Sequence, residues 1–175
     1  MVTTSVLINN YNYGSFVSRA IDSALSQNTD DFEVVVVDDG STDQSRCVLA
    51  AYADRVTAVY QENRGQAAAM NAAVRASRGE FLCFLDADDW WTADKLAATA
   101  AAFRSDPEVV LVYHRLQPVL DGASCSSLKP IPRTLCSGDL SSRLARSAGW
   151  WPFPMTSAIA VRRSAWEAAG DIPES

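Results

Sequence analysis

The chain is poor in the residues that mark several common functional classes. Its 175 residues include a single histidine and four cysteines without a Cys-x-x-Cys pair, so a zinc site is not expected. No apolar run approaches the roughly 20 residues that span a bilayer, and the first residues lack the basic and long apolar regions of a signal peptide. We therefore predict a cytoplasmic protein without a membrane span.

Basic residues are also scarce relative to acidic ones. The chain has 15 Lys and Arg against 21 Asp and Glu, which gives a net charge of −6. Nucleic-acid binding is driven largely by Lys and Arg that neutralise phosphates, so no nucleic-acid partner is predicted. No Gly-x-Gly-x-x-Gly follows the first predicted strand, which argues against a dinucleotide-binding Rossmann domain.

What the chain does contain is enough apolar material for one substantial core. Hydrophobic residues make up 48% of the sequence, and 175 residues suit a single domain. Apolar runs alternate with segments of helical periodicity, which predicts an α/β fold with a mostly parallel sheet and helices on both faces. Residues 116–136 are rich in proline and serine and are predicted to form an excursion from this alternation. We predict strands at 6–8, 32–37, 56–60, 80–85, 109–113 and 157–161, and helices at 16–25, 41–52, 65–77, 93–103, 139–148 and 164–169.

The most informative segment is an apolar run from Phe81 that ends in three carboxylates, Asp86, Asp88 and Asp89. A buried strand delivers such side chains to its carboxyl end, where an open α/β sheet has its ligand crevice. Asp86 and Asp88 can share Mg²⁺ or Mn²⁺ and leave its other positions to phosphate oxygens. The alternative is a solvated acidic turn in which Asp89 or Thr92 caps the next helix.

Polar side chains also follow the three strands predicted before this one. Tyr11 offers a ring that stacks on a planar base, and Asp39 can accept a hydrogen bond from a base or a ribose. Arg64 can meet a ribosyl or phosphate oxygen. Each has a structural alternative. Tyr11 can be a rim residue of the core, Asp39 can belong to a tight turn with a helix cap, and Arg64 can lie in a loop before a helix. The carboxyl ends of parallel strands meet at one edge, so we expect these groups to share a crevice.

Four segments together resemble the ordered motifs of family 2 glycosyltransferases. They read Val-Leu-Ile-Asn-Asn-Tyr-Asn at 6–12, Val-Asp-Asp-Gly-Ser-Thr-Asp at 37–43, Asn-Arg-Gly at 63–65, and Gly-Glu-Phe followed by Leu-Asp-Ala-Asp-Asp within 79–89. The resemblance implies a GT-A fold that binds a nucleotide-diphospho-sugar with Mg²⁺ or Mn²⁺ and transfers the sugar with inversion. It implies a UDP, dTDP or GDP donor and an acceptor hydroxyl on an unknown saccharide, lipid or protein.

The resemblance also assigns roles in nucleotide binding by position. Tyr11 would stack on the base, with Asn9 beside it in the nucleotide-sugar site, and Asp39 would bind the imide edge of the base. Arg64 would contact the base or a phosphate. The Asn9-Asn10 pair departs from the Pro-Thr or Thr-Ser that more often precedes the tyrosine, which leaves the detail of the base contacts open but not the fold.

Roles in the transfer step follow from the same resemblance. Asp88 would be a metal ligand, with Asp86 near the ribose and the metal. The segment 162–174 matches the approach to a Gly-Gly-Phe-Asp-Glu-like motif that precedes the family's catalytic base, so this base is expected beyond Ser175. We therefore predict one domain over 1–175, with a donor-nucleotide half at 1–113 and a partial acceptor half at 114–175. Trp150 and Trp151 are predicted to form part of an acceptor wall.

Other assignments remain open at this point. If this chain itself transfers sugar, its base would be sought among Asp121, Asp139 and Asp171. A noncatalytic sugar-nucleotide-binding domain would bind the donor without turnover. A haloacid-dehalogenase-like phosphatase also has Asp-x-Asp after an apolar strand and uses the first acid as nucleophile. It prefers Thr or Val where Asp89 stands, and it leaves the motif at 37–43 unexplained.

Overall fold

A six-stranded sheet forms the centre of the molecule in the computed structural model, which describes residues 2–120, 123–124, 129–132, 135–139 and 155–174. Its strands run in the order β3-β2-β1-β4-β8-β5, and β6 and β7 form a separate two-stranded hairpin. The hairpin lies in the region that was predicted to be an excursion. The strands are β1 (Thr4–Asn10), β2 (Phe32–Asp39), β3 (Thr57–Gln61), β4 (Phe81–Asp86), β5 (Leu111–Tyr113), β6 (Val119–Leu120), β7 (Ala123–Ser124) and β8 (Ile159–Arg162).

Helices connect most of the strands. They are α1 (Val17–Leu25), α2 (Ser45–Ala50), α3 (Gln66–Ala76), α4 (Lys95–Ser105) and α5 (Arg163–Ala169), with a 3₁₀ turn at Thr156–Ala158. Helix α2 begins at Ser45 and not near Ser41 as predicted, because Asp43 accepts hydrogen bonds from the backbone N–H groups of Ser45 and Gly14 and holds 41–44 as a loop. The helix predicted at 139–148 lies outside the described residues except for Asp139.

The core consists of two layers, one on each face of the sheet. In β2, Val34 and Val36 face one layer and Val35 and Val37 the other. This alternation is the period-2 pattern of a strand that is buried on both faces. Helices α1, α2 and α4 cover the first face, and α3 and α5 cover the second. The predicted α/β class with helices on both faces is therefore confirmed.

The last strand does not run parallel to the others, although regular strand–helix alternation predicts a mostly parallel sheet. Strands β1, β2, β3 and β4 pair in parallel, but β8 is antiparallel to both β4 and β5 and lies between them. Arg162 anchors β8. Its guanidinium donates hydrogen bonds to the carbonyl oxygens of Phe103 and Val109 and forms an ion pair with Glu80. The chain thus returns through the sheet in the opposite direction before α5 packs on the second face.

The parallel strands bring their polar ends to one edge. In the strand register, Asn9 lies opposite Asp86 and Asn10 lies opposite Asp38. Side chains that are far apart in sequence are therefore neighbours at the carboxyl edge of the sheet, as predicted. No helix in the described part of the chain is long and apolar enough to cross a membrane.

Candidate functional site

A cavity of about 440 Å³ lies at the carboxyl edge of the sheet. It is where an open α/β sheet is expected to bind its ligand. The residues that line it come from the ends of β1, β2 and β4 and from the start of α3. They are Asn9, Asn10, Tyr11, Tyr13, Asp39, Asn63, Gly65, Gln66, Ala69, Asp86, Ala87 and Asp88.

One wall of the cavity is fixed by hydrogen bonds between the loops that follow β1 and β2. The Asn10 side chain donates to Asp38 (2.9 Å), whose buried carboxylate also pairs with Arg46. Asn12 donates its backbone N–H to the Ser41 hydroxyl and accepts from the backbone N–H of Thr42. Asn12 has a positive φ of 58°, a conformation that asparagine tolerates better than most residues. Buried polar groups in such a network give the loop one defined position.

Asp39 holds the opposite wall. The residue is 3% exposed. Its carboxylate accepts three hydrogen bonds, from the Gln61 amide (2.7 Å) and from the backbone N–H groups of Arg64 (3.0 Å) and Gly65 (2.8 Å). Gly65 has a φ of 86°, so the chain turns at a conformation that favours glycine and then enters α3. Asp39 therefore positions the loop that leads to the first turn of α3.

Two tyrosines present aromatic surface at the cavity. Tyr11 is 45% exposed and Tyr13 is 43% exposed, although both are large apolar rings. Tyr13 packs against Phe16 with their ring centroids 5.9 Å apart, which leaves Tyr11 without a described aromatic partner. An exposed ring at a cavity rim is suited to stacking on a planar ligand.

The acidic segment lies at the floor of the cavity. The backbone N–H of Asp86 donates to the buried Ser157 hydroxyl (3.0 Å), and its carboxylate accepts from Gln66 (2.9 Å). Burial raises the pKa of the Asp86 carboxyl, and the neighbouring Asp89 and Asp88 carboxylates raise it further, against hydrogen bonds from Asn9 and Ser157. The fold thus holds Asp86 in a position where its ionised form is disfavoured unless a cation is present.

The donor set fits a hard divalent cation that shares its coordination with a ligand. Asp86 and Asp88 both line the cavity, and Mg²⁺ is usually held by one or two carboxylates together with phosphate oxygens. No cluster of three or more His, Cys, Asp or Glu side chains with metal-binding geometry occurs among the described residues. Protein oxygens from Asp86 and Asp88 would therefore be completed by oxygens of a ligand or water.

The raised pKa of Asp86 predicts how a substitution at this position changes the stability of the fold. A carboxyl whose folded pKa lies above its unfolded value stabilises the fold below the unfolded pKa, and this contribution is lost as the pH rises through the folded pKa. We expect Asp86→Asn to raise the melting temperature of the metal-free chain at pH 7, because it removes a repelled buried charge. The gain should shrink as the pH falls through the raised pKa.

Thermal melts from pH 3 to pH 8 test this expectation. Asp54→Asn, which removes a charge at an exposed turn, is the matched control and should show no such pH-dependent gain. A lower melting temperature for Asp86→Asn than for the unsubstituted chain at pH 7 would show that Asp86 is not destabilising in its ionised form.

The structure does not bring every residue that was predicted for the site into the cavity. The Arg64 side chain is 58% exposed, pairs with Glu174, and is not among the lining residues. Asp139 and Asp171 do not line the cavity either, and Asp171 pairs with Arg75 (2.6 Å) in the last turn of α3. Trp150, Trp151 and Asp121 lie outside the described residues.

The segment after α5 docks on α3. The Asn71 side chain accepts from the backbone N–H of Ile172 (2.9 Å) and donates to the Ile172 carbonyl oxygen (2.9 Å) and to Glu174 (3.3 Å). These contacts explain a buried asparagine in the middle of an alanine-rich helix, because a buried amide needs partners for both its donor and its acceptor.

Three residues of the candidate site, Tyr13, Gln66 and Ser157, were not predicted from the sequence. Tyr13 and Gln66 each follow a predicted site residue by two positions, so proximity was the only available signal. Ser157 lies 71 residues from Asp86, and nothing in the sequence links the two. Ser157 reaches the site because β8 is antiparallel to β4 and places the 3₁₀ turn at the end of that strand.

Comparison with known sequences gives a consistent family. The model described as Glycosyl transferase family 2 matches residues 5–168. The chain is 41% identical over 172 residues to an uncharacterized glycosyltransferase of Nostoc sp., and this match covers 93% of the chain and 52% of the relative. The chain spans about half of the length of that relative and smaller shares of the next two curated relatives.

Solved structures give the same fold. A mannosyltransferase from Pyrobaculum calidifontis in complex with GDP-Man and Mn²⁺ superposes with a TM-score of 0.69 at 27% identity, over 97% of this chain and 47% of that one. Residues 1–349 of S. aureus TarS in complex with UDP-GlcNAc superpose with a TM-score of 0.59 at 27% identity, over 71% and 37% of the two chains.

Proposed function

Because this chain belongs to glycosyltransferase family 2 and has the GT-A fold, we propose that its cavity binds a nucleotide-diphospho-sugar. The sugar is transferred, with inversion and with a divalent cation, to an acceptor hydroxyl. The observation that supports this most directly is the convergence at one cavity of an exposed Tyr11 ring, the first turn of α3, and the carboxylates of Asp86 and Asp88. These groups match the base, the diphosphate and the cation in turn.

The nucleoside end of the donor is held by the loops after β1 and β2. The base stacks on Tyr11, whose ring is open to the cavity. Asn9 and Asn10 border the same space, and the carbonyl oxygen of each side-chain amide is buried without a hydrogen-bond partner. Such an oxygen is suited to accept from a ligand N–H or O–H. Asp39 has three partners within the chain, so its main contribution is to hold the wall, with any base contact made in addition.

The diphosphate is placed at the start of α3. Gly65 and Gln66 line the cavity at the N-terminal end of this 11-residue helix. Unpaired backbone N–H groups and the helix dipole make such an end favourable for phosphate oxygens. Arg64 precedes this turn, but its guanidinium pairs with Glu174, so a role in phosphate or base contact requires this ion pair to open.

The carboxylates serve the leaving group. Asp88 and Asp86 would hold Mg²⁺ or Mn²⁺, which when bound supplies a Lewis acid for the charge that develops on the departing nucleoside diphosphate. Gln66 donates to Asp86 and Ser157 accepts from its backbone N–H, so the carboxylate is oriented before any ligand arrives. This orientation lowers the reorganisation needed for catalysis.

The acceptor hydroxyl requires a carboxylate base on the opposite face of the sugar. Several features stay predictions. They are the base beyond Ser175, the donor half at 1–113, the acceptor half at 114–175, the acceptor wall at Trp150 and Trp151, and the cytoplasmic location. The chemical nature of the acceptor, a saccharide, lipid or protein, is part of the same proposal.

A noncatalytic sugar-nucleotide-binding domain is the second candidate, because no described acid other than Asp39, Asp86 and Asp88 lines the cavity. It predicts donor binding without sugar transfer. The phosphatase alternative has less support, since the family match extends from residue 5 to residue 168 and includes the motif at 37–43.

Thermal stabilisation by UDP, GDP and dTDP, each with and without Mn²⁺, tests the donor site. One nucleotide is expected to stabilise the chain only when Mn²⁺ is present. A ligand at about 100 times its dissociation constant adds about 2.7 kcal/mol, which corresponds to a rise of about 5–10 °C for a domain of this size. The responding nucleotide identifies the base.

Hydrolysis or transfer of the sugar from the matching nucleotide-sugar then separates the two candidates. Binding with turnover supports the glycosyltransferase, and binding without turnover supports the noncatalytic domain. The absence of stabilisation by all three nucleotides would contradict a donor site in this cavity.

A further inference from the structure

A second cavity, also of about 440 Å³, lies beside the acidic segment. It is lined by residues that directly follow Asp88 and by the chain after β5. The lining includes Asp89, Trp91, Asp94, Lys95 and His114. Asp88 lines the donor cavity and Asp89 lines this one, so the same turn forms part of both walls.

Lys95 is a buried ammonium without a described counter-ion. The residue is only 8% exposed, and its Nζ donates a hydrogen bond to the Thr99 hydroxyl (2.8 Å). That hydroxyl donates in turn to the Lys95 carbonyl oxygen (2.9 Å), and the Trp91 ring centroid lies 5.1 Å from Nζ. An ammonium has three N–H donors, and no carboxylate in the described part of the chain pairs with it. A buried charge of this kind is costly unless a partner arrives.

His114 adds an unpaired acceptor to the same cavity. Its Nδ1 lies 2.8 Å from the Arg115 carbonyl oxygen, which can only accept, so Nδ1 carries the hydrogen. Burial lowers the pKa of His114, and the positive charge of Lys95 lowers it further, against the nearby backbone carbonyl groups of Arg115 and Ser157, which raise it. The imidazole is therefore neutral at pH 7 with a lone pair on Nε2. This atom is hidden from solvent and has no partner among the described residues.

The other charged groups around the cavity do not neutralise Lys95. Asp89, Asp94 and Arg115 also line it, and Asp94 accepts from the Asn28 amide (2.8 Å). Burial lowers the pKa of Lys95, and the buried Cys83 beside it is a neutral thiol because burial raises its pKa. Neither Asp89 nor Asp94 forms an ion pair with Lys95 in the described part of the chain.

We propose that the second cavity binds a sugar that carries a carboxylate or a phosphate group. The anionic group accepts hydrogen bonds from Lys95 Nζ, and a sugar hydroxyl donates to His114 Nε2. The Trp91 indole provides apolar surface beside them. Because the turn at Asp88 and Asp89 separates the two cavities, this ligand lies next to the nucleotide-sugar. Its assignment as the acceptor of the transfer reaction rests on the proposed function, whereas the binding itself does not.

The single histidine makes a direct test possible. The imidazole signals of His114 are the only ones in an NMR spectrum of this chain, and they can be followed during titration with glucuronate, glucose 6-phosphate and glucose. We expect a saturable shift with glucuronate, glucose 6-phosphate or both, and a weaker response to glucose. A response to one anionic sugar alone identifies its carboxylate or its phosphate as the group that is recognised.

Lys95→Met should weaken this binding at least about tenfold, because a charge-assisted hydrogen bond is lost while the side-chain length is kept. The chain has one other lysine, the exposed Lys129, and Lys129→Met is the matched control that should bind like the unsubstituted chain. Lys95→Gln is a second variant in case the methionine perturbs folding, and the melting temperatures of all three variants are compared.

Failure of this proposal can be separated from failure of the donor site. Nucleotide stabilisation with Mn²⁺ should be the same in Lys95→Met as in the unsubstituted chain, since Lys95 does not line the donor cavity. Absence of a saturable shift with both anionic sugars, an equal response to glucose, or unchanged affinity in folded Lys95→Met and Lys95→Gln would each overturn the proposal.

Discussion

Replacement of Asp88 by alanine is expected to abolish the stabilisation of this chain by nucleotide and Mn²⁺. Asp88 is exposed at the cavity, so its removal should leave the fold intact. Without its carboxylate, the cation loses one of two protein ligands and nucleotide phosphates lose the cation that neutralises them. The expected loss is the whole ligand-induced rise of about 5–10 °C, at nucleotide concentrations near 100 times the dissociation constant.

The matched control is Asp89, the next residue in the same turn. Asp89→Ala removes an equal charge from the neighbouring cavity and keeps the backbone hydrogen bond from the Asp89 N–H to the Asp86 carbonyl oxygen. It should retain most of the stabilisation by nucleotide and Mn²⁺. Equal loss in both variants would indicate a general effect of negative charge and not a specific ligand at Asp88.

The second large effect is expected at Asp39. Asp39→Ala leaves the Gln61 amide and the backbone N–H groups of Arg64 and Gly65 without the acceptor that now holds them. Buried donors without partners cost about 1–3 kcal/mol each, and water can replace part of this in a half-exposed loop, so we expect a loss of about 2–4 kcal/mol in the free energy of unfolding. The loop before α3 should then lose its fixed position, and nucleotide binding with it.

Urea unfolding and nucleotide titration on the same preparations measure both effects. Asp39→Asn keeps one acceptor oxygen but turns a donor toward the backbone, so its stability should lie between those of Asp39→Ala and the unsubstituted chain. Loss of nucleotide binding with unchanged stability in both variants would contradict the positioning role and would favour direct contact of Asp39 with the base.

The two predictions separate the tasks of the acidic residues. Asp39 is buried and has its hydrogen bonds within the chain, so its effect appears in stability as well as in binding. Asp88 is exposed and its effect should appear only when ligand and cation are present. Asp86 lies between these cases, because the fold orients its carboxylate at a cost that a cation would relieve.

Much of the fold follows from local sequence pattern. The run of four valines in β2 and the apolar run in β4 predict central strands, because side chains that alternate between two buried faces must all be apolar. Helix α1 is predicted equally well by its apolar spacing. The start of α2 is not predicted by local pattern. Asp43 accepts hydrogen bonds from the backbone N–H of Ser45 in its own turn and from that of Gly14 in a distant loop.

The positions of the site residues also follow only in part from the sequence. Asn9, Tyr11, Asp39, Asp86 and Asp88 were predicted as site residues, and the structure places all of them on one cavity. These residues converge because each lies at the end of, or just after, one of the parallel strands of the sheet. Arg64 follows a strand as well, but its long flexible side chain leaves the edge and pairs with Glu174. The direction of a long side chain depends on the charges near it in space, which strand order does not specify.

By itself, the sequence determined the class of the fold and the edge of the sheet at which the polar strand ends converge. It also supplied the carboxylates that we propose as cation ligands. These features depend on the period of apolar residues and on the types of side chain at strand ends. Only the tertiary structure decided that β8 runs antiparallel and brings Ser157 to Asp86, that Asp39 holds the loop before α3, and that Lys95 and His114 share a second cavity. These depend on contacts between residues far apart in the chain, and such contacts form only when the packed core fixes the distances between them.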